Sequence, residues 1–307
     1  MNNIEHAIQQ IMKDKVAFSW ERETQSNAIN EYLRFYNLDM PVQYHSGYIT
    51  GLNGALFVQS FRPMNPRAIC LALHGYYDHS GCLRELIHFL TSNQVHVITY
   101  DLQGHGLSEG ERASILNFDD YVKDLSMIID KFILGAKEPR YCIAHSTGAA
   151  NALSYLKRHP MTFEKTALIA PLIRSNLWYP SKLAYTVLNP FVKEIKRTIK
   201  KSTSNESYNQ FTNQDPLQYK KIPTSWVGAL YEWFANNNKR LTSYQPILVI
   251  QGNDDTTVDW RYNTDFLAKH YPNSHIILID GAKHQLLNET SQIRERVFYF
   301  LQSYFKF

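Results

Sequence analysis

From about residue 43 onward the chain alternates short apolar runs with longer stretches in which apolar positions recur every three or four residues. A strand buried on both faces reads as a continuous apolar run, so this alternation predicts a mostly parallel sheet with helices on both sides. Val42 to Thr50 and Ala55 to Phe61 instead alternate apolar and polar positions around Gly51-Leu-Asn-Gly54, which predicts an antiparallel hairpin at one edge. Six short apolar runs follow: Ala68 to Leu73, Val95 to Tyr100, Tyr141 to Ala144, Thr166 to Ala170, Ile247 to Ile250 and His275 to Ile279. Each fits a strand better than a helix, and amphipathic stretches such as Phe118 to Phe132 and Ala149 to Arg158 supply the crossovers. The expected class is α/β, with eight strands.

One long interval, 173–244, carries no buried-strand run and is broken by Pro180, Pro190, Pro216 and Pro223. It holds a polar patch from Ser202 to Asn209 and an aromatic stretch, Thr224 to Asn236, whose spacing predicts a helix begun by Pro223 or Thr224. The expected organisation is an N-terminal helical extension over 1–40, a core made of 41–172 and 245–307, and a helical lid over 173–244, inserted after the sixth strand.

Composition narrows the class without naming a chemistry. The 307 residues are 44% hydrophobic and 20% charged, which excludes disorder of the whole chain. No run approaches the roughly 18 to 20 apolar residues that cross a bilayer, and Met1 to Trp20 lacks a signal-peptide core, so the expected location is cytoplasmic. Cys70, Cys82 and Cys142 form no metal-binding spacing and read as reduced core thiols. A net charge of +4 is too mild for a nucleic-acid partner. The run Lys193-Glu-Ile-Lys-Arg-Thr-Ile-Lys-Lys201 is denser; it reads as a solvated helix face, or as a contact with an anionic membrane surface or a phosphate-bearing substrate.

The candidate chemistry starts at Tyr141-Cys-Ile-Ala-His-Ser-Thr-Gly148, which puts Ser146 at a sharp join of strand and helix with small Ala144 and Gly148 beside it. A serine hydroxyl needs an imidazole to take its proton and a carboxylate to orient that imidazole. After the seventh expected strand, Gly252-Asn-Asp-Asp-Thr-Thr-Val258 offers Asp254 and Asp255, with Asp255 at the favoured spacing; Ala170 to Asn176 offers no carboxylate. After the eighth, Gly281-Ala-Lys-His-Gln285 supplies His284 as general base. The third strand ends in Leu73-His-Gly-Tyr-Tyr-Asp-His-Ser-Gly81, where the backbone amide of Tyr76, with that of Thr147, would stabilise an oxyanion. His74, Asp78 and His79 are expected to hold this loop, with no metal, since no matching ligand set accompanies them. Asp101-Leu-Gln-Gly-His-Gly-Leu-Ser108 reads as a tight supporting loop, because it lacks G-x-G-x-x-G and a P-loop lysine.

Together, His74-Gly75, Asp101 to Ser108, Ala144 to Gly148, Gly252 to Asp255 and His284 resemble the lysophospholipase and monoacylglycerol-lipase branch of the α/β-hydrolases, often labelled serine-aminopeptidase-like, over residues 45 to 305. Phe118 to Leu125 and Ala144-His-Ser146 look especially like bacterial inner-membrane lysophospholipases. The resemblance implies the α/β-hydrolase fold and cleavage of carboxylic esters of acyl lipids through an acyl-enzyme, without a cofactor. Thr147 and Ala149 stand where Met and Gly are frequent in the branch, and bulky Tyr76-Tyr77 follow His-Gly, a departure that favours smaller esters. A short-chain carboxylesterase is therefore the alternative enzyme, and a ligand-binding hydrolase-fold protein the alternative of another class. Tyr77, His145, Trp178, Trp226, Leu230 and Trp233 are the expected substrate-contacting residues, the tryptophans and Leu230 as an acyl wall; plain packing of lid on core is the competing reading. The basic run would complement a lysophospholipid head group or an anionic bilayer.

Overall fold

The computed structural model describes residues 3–189, 191–197, 201–238 and 242–307. Its strands are β1 Gln43–Gly51, β2 Gly54–Arg62, β3 Ala68–Leu73, β4 Val95–Tyr100, β5 Arg140–His145, β6 Lys165–Ile169, β7 Glu194–Lys196, β8 Lys221–Pro223, β9 Ile247–Gly252 and β10 His275–Ile279. Eight of them form one sheet in the order β1-β2-β4-β3-β5-β6-β9-β10. The β1–β2 hairpin and the β2–β4 pair are antiparallel and the remaining pairs parallel, as the two kinds of apolar pattern require.

The two faces of the sheet are read directly from strand periodicity. Along β3, Ile69, Leu71 and Leu73 enter a core shared with helices α4 (Phe118–Phe132) and α5 (Thr147–Leu156). Ala68, Cys70 and Ala72, pointing the other way, enter a second core with α3 (Arg84–Ser92) and α10 (Ser291–Phe305). Cys70, Cys82 and Cys142 are free and buried.

Helices α1 (Asn3–Asp14) and α2 (Asn27–Phe35) pack on that second core, with Tyr32 and Tyr36 fully buried. Tyr36 Oη donates to Asp215 Oδ1 at 2.7 Å, and His79 Nε2 meets Asp215 Oδ2 at 2.8 Å. One buried carboxylate thus links the N-terminal segment, the segment between β6 and β9, and the loop after β3.

Between β6 and β9 lie α6 (Trp178–Leu188), β7, α7 (Glu206–Gln214), β8 and α8 (Thr224–Asn237). This stretch departs from expectation twice. Glu194 to Lys196, read as part of a helix face, pairs as a strand with Lys221 to Pro223, an arrangement supported by the ion pair of Glu194 with Lys221 at 2.6 Å. The polar patch from Ser202 becomes the start of α7, because Asn205 caps it by accepting from the Tyr208 amide at 3.2 Å. Pro190 and the Thr198 to Lys200 part of the basic run lie outside the described residues. Helix α9 (Trp260–His270) follows β9.

Candidate active site

Ser146 sits between β5 and α5 at φ 50°, ψ −113°, a conformation that L residues adopt only under strain. The surrounding backbone over-determines it: its N–H donates to Ile169 O at 3.0 Å, and its carbonyl accepts from Ala149 at 3.0 Å and Leu172 at 3.2 Å. Gly148 is needed because a Cβ there would lie 2.7 Å from His74 O and 2.9 Å from Leu73 O, so only glycine lets α5 press against the end of β3.

His284 Nε2 lies 3.0 Å from Ser146 Oγ, and its Nδ1 lies 2.8 Å from Asp255 Oδ2. All three side chains are buried. The carboxylate is fixed by amide donors from Thr257 at 2.7 Å and Val258 at 3.1 Å on Oδ1, and by Gln251 Nε2 at 3.0 Å on Oδ2. Burial alone would raise the Asp255 pKa; the His284 charge and these hydrogen bonds outweigh it and hold the carboxyl below its ordinary value. Burial likewise disfavours the His284 cation, and the Asp255 carboxylate reverses that, leaving the imidazole above its ordinary pKa. Asp254 is exposed on the same loop, with its amide bonded to Ala282 O at 3.0 Å.

The loop after β3 lies against the serine: a Cβ on Gly75 would be 3.1 Å from Ser146 Cβ. Its shape is fixed from below. His74 Nε2 accepts from the Leu102 amide at 2.9 Å, and Asp101 accepts from Ser80 N and Oγ at 2.7 and 2.6 Å and from Leu107 N at 2.7 Å. The Tyr76 ring stacks on Trp226 at 3.7 Å and its hydroxyl donates to Ala113 O at 2.6 Å. The side chain is thereby anchored on Trp226 and Ala113. A hydroxyl–imidazole–carboxylate chain of this geometry can support attack on a carbonyl.

A cavity of about 340 Å³ opens over Ser146, and it is lined by Tyr76, Tyr77, His145, Thr147, Trp226, Leu230 and His284 from the sequence-derived set. Trp178 and Trp233 stand outside it. Trp233 shares its helical face with Trp226, but seven residues carry it about 10 Å further along α8, where its Nε1 donates to Ser154 Oγ at 2.7 Å. Trp178 packs on Tyr231 and Phe234 at 4.6 and 5.1 Å. Both are packing residues, a correction to the acyl wall read from helical spacing. His145 lines the cavity and also reaches behind it: its Nε2 lies 3.2 Å from His284 O and its Nδ1 lies 3.4 Å from Asp78. Burial would raise the Asp78 pKa, but His145 and the amide of Gln285 at 3.0 Å hold this carboxyl well below the usual range. Gln251 and Gln285, which hold Asp255 and Asp78, carried no signal in the sequence because they are uncharged and belong to no motif. Arg197, which lines the cavity, was named there only as a member of the basic run.

Comparisons with known proteins agree on one family and one fold. The model of a family described as serine aminopeptidase, S33, matches residues 64–291. Monoglyceride lipase of Homo sapiens is 27% identical over 256 residues, spanning 80% of this chain and 84% of the human protein. A monoglyceride lipase homolog of Monkeypox virus is 26% identical over 257 residues, spanning 80% of this chain and 92% of the viral one. A solved structure of a soluble variant of monoglyceride lipase from Saccharomyces cerevisiae, in complex with a substrate analog, matches with a TM-score of 0.76 at 20% identity, covering 86% of this chain and 95% of the yeast one. The fold common to them is the α/β-hydrolase fold.

Proposed function

The chain belongs to the serine aminopeptidase (S33) family of α/β-hydrolases, and from that premise we propose that Ser146, His284 and Asp255 are the catalytic residues of a lipid ester hydrolase acting on monoacylglycerols or lysophospholipids. The observation that carries this reading is the unbroken chain of contacts, 3.0 Å from Ser146 Oγ to His284 Nε2 and 2.8 Å from His284 Nδ1 to Asp255, at the floor of a cavity with an apolar side. Ser146 Oγ attacks the ester carbonyl while His284 Nε2 takes its proton. The oxyanion is received by the Tyr76 and Thr147 amides, each contributing roughly 3 kcal/mol to the barrier reduction. His284 then gives the proton to the departing alcohol, and water repeats the sequence on the acyl-enzyme to release the fatty acid. Asp255 stays ionised throughout and steadies the imidazolium.

On this reading 173–244 is the lid, 1–40 an N-terminal extension, and 41–172 with 245–307 the catalytic core. Trp226 and Leu230 form the acyl wall together with Val227, and each buried methylene favours longer chains by about 0.8 kcal/mol. The enzyme meets its substrate from the cytoplasm, at the surface of an anionic bilayer. Exposed Tyr179, Leu183 and Val187 recur every four residues on one face of α6, and exposed Lys193 and Lys196 stand nearby in the chain. Among the described residues no helix is long and apolar enough to cross a membrane.

The deciding experiment is a panel of p-nitrophenyl esters, monoacylglycerols and lysophospholipids of graded chain length, with Ser146→Ala as control. We expect a preference for long acyl chains, and a loss of turnover of about 10⁴ or more in the variant with unchanged circular dichroism. Activity confined to acetyl and butyryl esters would reassign the protein as a short-chain esterase. Failure of a fluorophosphonate to label Ser146 in folded protein would favour a ligand-binding role instead.

A further inference from the structure

The cavity over Ser146 has two unlike sides. Leu172, Trp226, Val227 and Leu230 make one apolar; Arg197, Ser202 and Tyr208 lie on its polar lining. An acyl chain has no use for the second side, so the alcohol half of the ester must lie toward it.

Arg197 is the unusual member. Its guanidinium lies flat on the Tyr77 ring, 3.7 Å from the centroid, one residue beyond the proposed oxyanion donor Tyr76. Its hydrogen bonds run from Nη1 alone, to Gln218 Oε1 and Tyr219 O, both at 3.3 Å. The Nε–Nη2 edge, the pair of parallel donors that grips a carboxylate or phosphate in two-point fashion, makes no hydrogen bond among the described residues, and no carboxylate lies within ion-pair distance of Arg197 there. The nearest acid in the cavity, Asp78, is already taken by His145 and Gln285. A half-buried cation left without a counter-charge is costly unless a ligand supplies one. Neutral glycerol offers nothing to balance the charge, whereas a phosphodiester offers two oxygens sharing a negative charge to the open edge of the guanidinium.

We propose that Arg197 forms a phosphate subsite, so that the preferred substrate is a lysophospholipid rather than a monoacylglycerol. This rests on the ester-hydrolase reading and refines its alcohol half. Arg197 is here a specificity residue that touches the substrate far from the bond being broken.

The test compares 1-octanoyl-lysophosphatidylglycerol with 1-octanoylglycerol, both below their micelle-forming concentrations so that surface binding does not contribute. The unsubstituted enzyme should favour the phospholipid by tenfold or more in kcat/KM. Arg197→Met should reduce that ratio at least tenfold, mainly through KM, and Arg197→Lys should restore part of it. A wild-type preference for octanoylglycerol, or equal losses on both substrates in Arg197→Met, would overturn the subsite while leaving the hydrolase intact. Inability of wild-type protein to cleave p-nitrophenyl octanoate would instead remove the hydrolase reading and the subsite with it. Should Arg197→Met not fold, inhibition of wild-type p-nitrophenyl octanoate turnover decides. Competition by sn-glycerol 3-phosphate and none by glycerol supports the subsite; indifference to both rejects it.

Discussion

Asp254 and Asp255 are neighbours in the chain, yet one is exposed and the other faces His284 through a 2.8 Å contact. Replacing Asp255 by Asn should lower kcat/KM by about 10³ to 10⁴. It should also move the acid limb of the pH profile downward, because the carboxylate is what holds the imidazole above its ordinary pKa. Asp254→Asn should stay within about threefold of wild type. Measuring both profiles on one ester checks the pair, and the opposite ranking would transfer the role to Asp254. The strand-end positions of Ser146, Asp255 and His284 were legible because a nucleophile elbow and its partners carry a chain order. The clamps around them were not, since Gln251 and Gln285 act through geometry that no residue pattern encodes.

Helix α4 shows what amphipathic spacing foretells and what it conceals. Its bounds, Phe118 to Phe132, match the periodicity, and its apolar face enters the core as expected. Asp124 is the exception, a buried carboxylate with one oxygen accepting from the Leu52 amide at 2.8 Å and the other without a partner among the described residues. Burial pushes its pKa up to about 6, against the lowering effect of the Leu52 bond. A carboxyl whose folded pKa is raised binds its proton more tightly than the unfolded chain does, so stability declines as pH climbs from about 4 through 6. Asp124→Asn keeps the acceptor for Leu52 without the charge. It should stabilise the fold by about 1–2 kcal/mol at pH 8 and by almost nothing at pH 4, as read by urea titration at both values; equal effects at the two pH values would refute the account. Elements of the sheet were foreseeable for the same reason as α4. Strands β7 and β8 were not, because three-residue strands have too few positions to establish a period.

At the scale of the molecule, the outer face of α6 carries a row of exposed apolar side chains, with Leu183 and Val187 both more than half exposed. A Leu183→Asp, Val187→Asp variant should partition onto phosphatidylglycerol vesicles at least tenfold more weakly, given roughly 1.5–3 kcal/mol per buried side chain, while cleaving a monomeric p-nitrophenyl ester normally. Sedimentation with the vesicles measures the first quantity, and undiminished binding would exclude α6 as the docking face. How the insertion attaches was beyond the reach of the sequence, since Gln285 N to Ser202 O at 2.8 Å and Ser204 N to Glu289 at 3.0 Å join residues some 80 positions apart. The flat stack of Tyr76 on Trp226 does something similar on the opposite wall. On the proposed reading it would make chain-length selectivity and turnover two readings of a single mechanical joint, so that an engineer who trimmed the indole to admit bulkier acyl groups would also unseat the rim on which the developing charge rests. Leu230, which lines the cavity one helical turn away, is on that reading the position where the cavity would be widened without disturbing that rim.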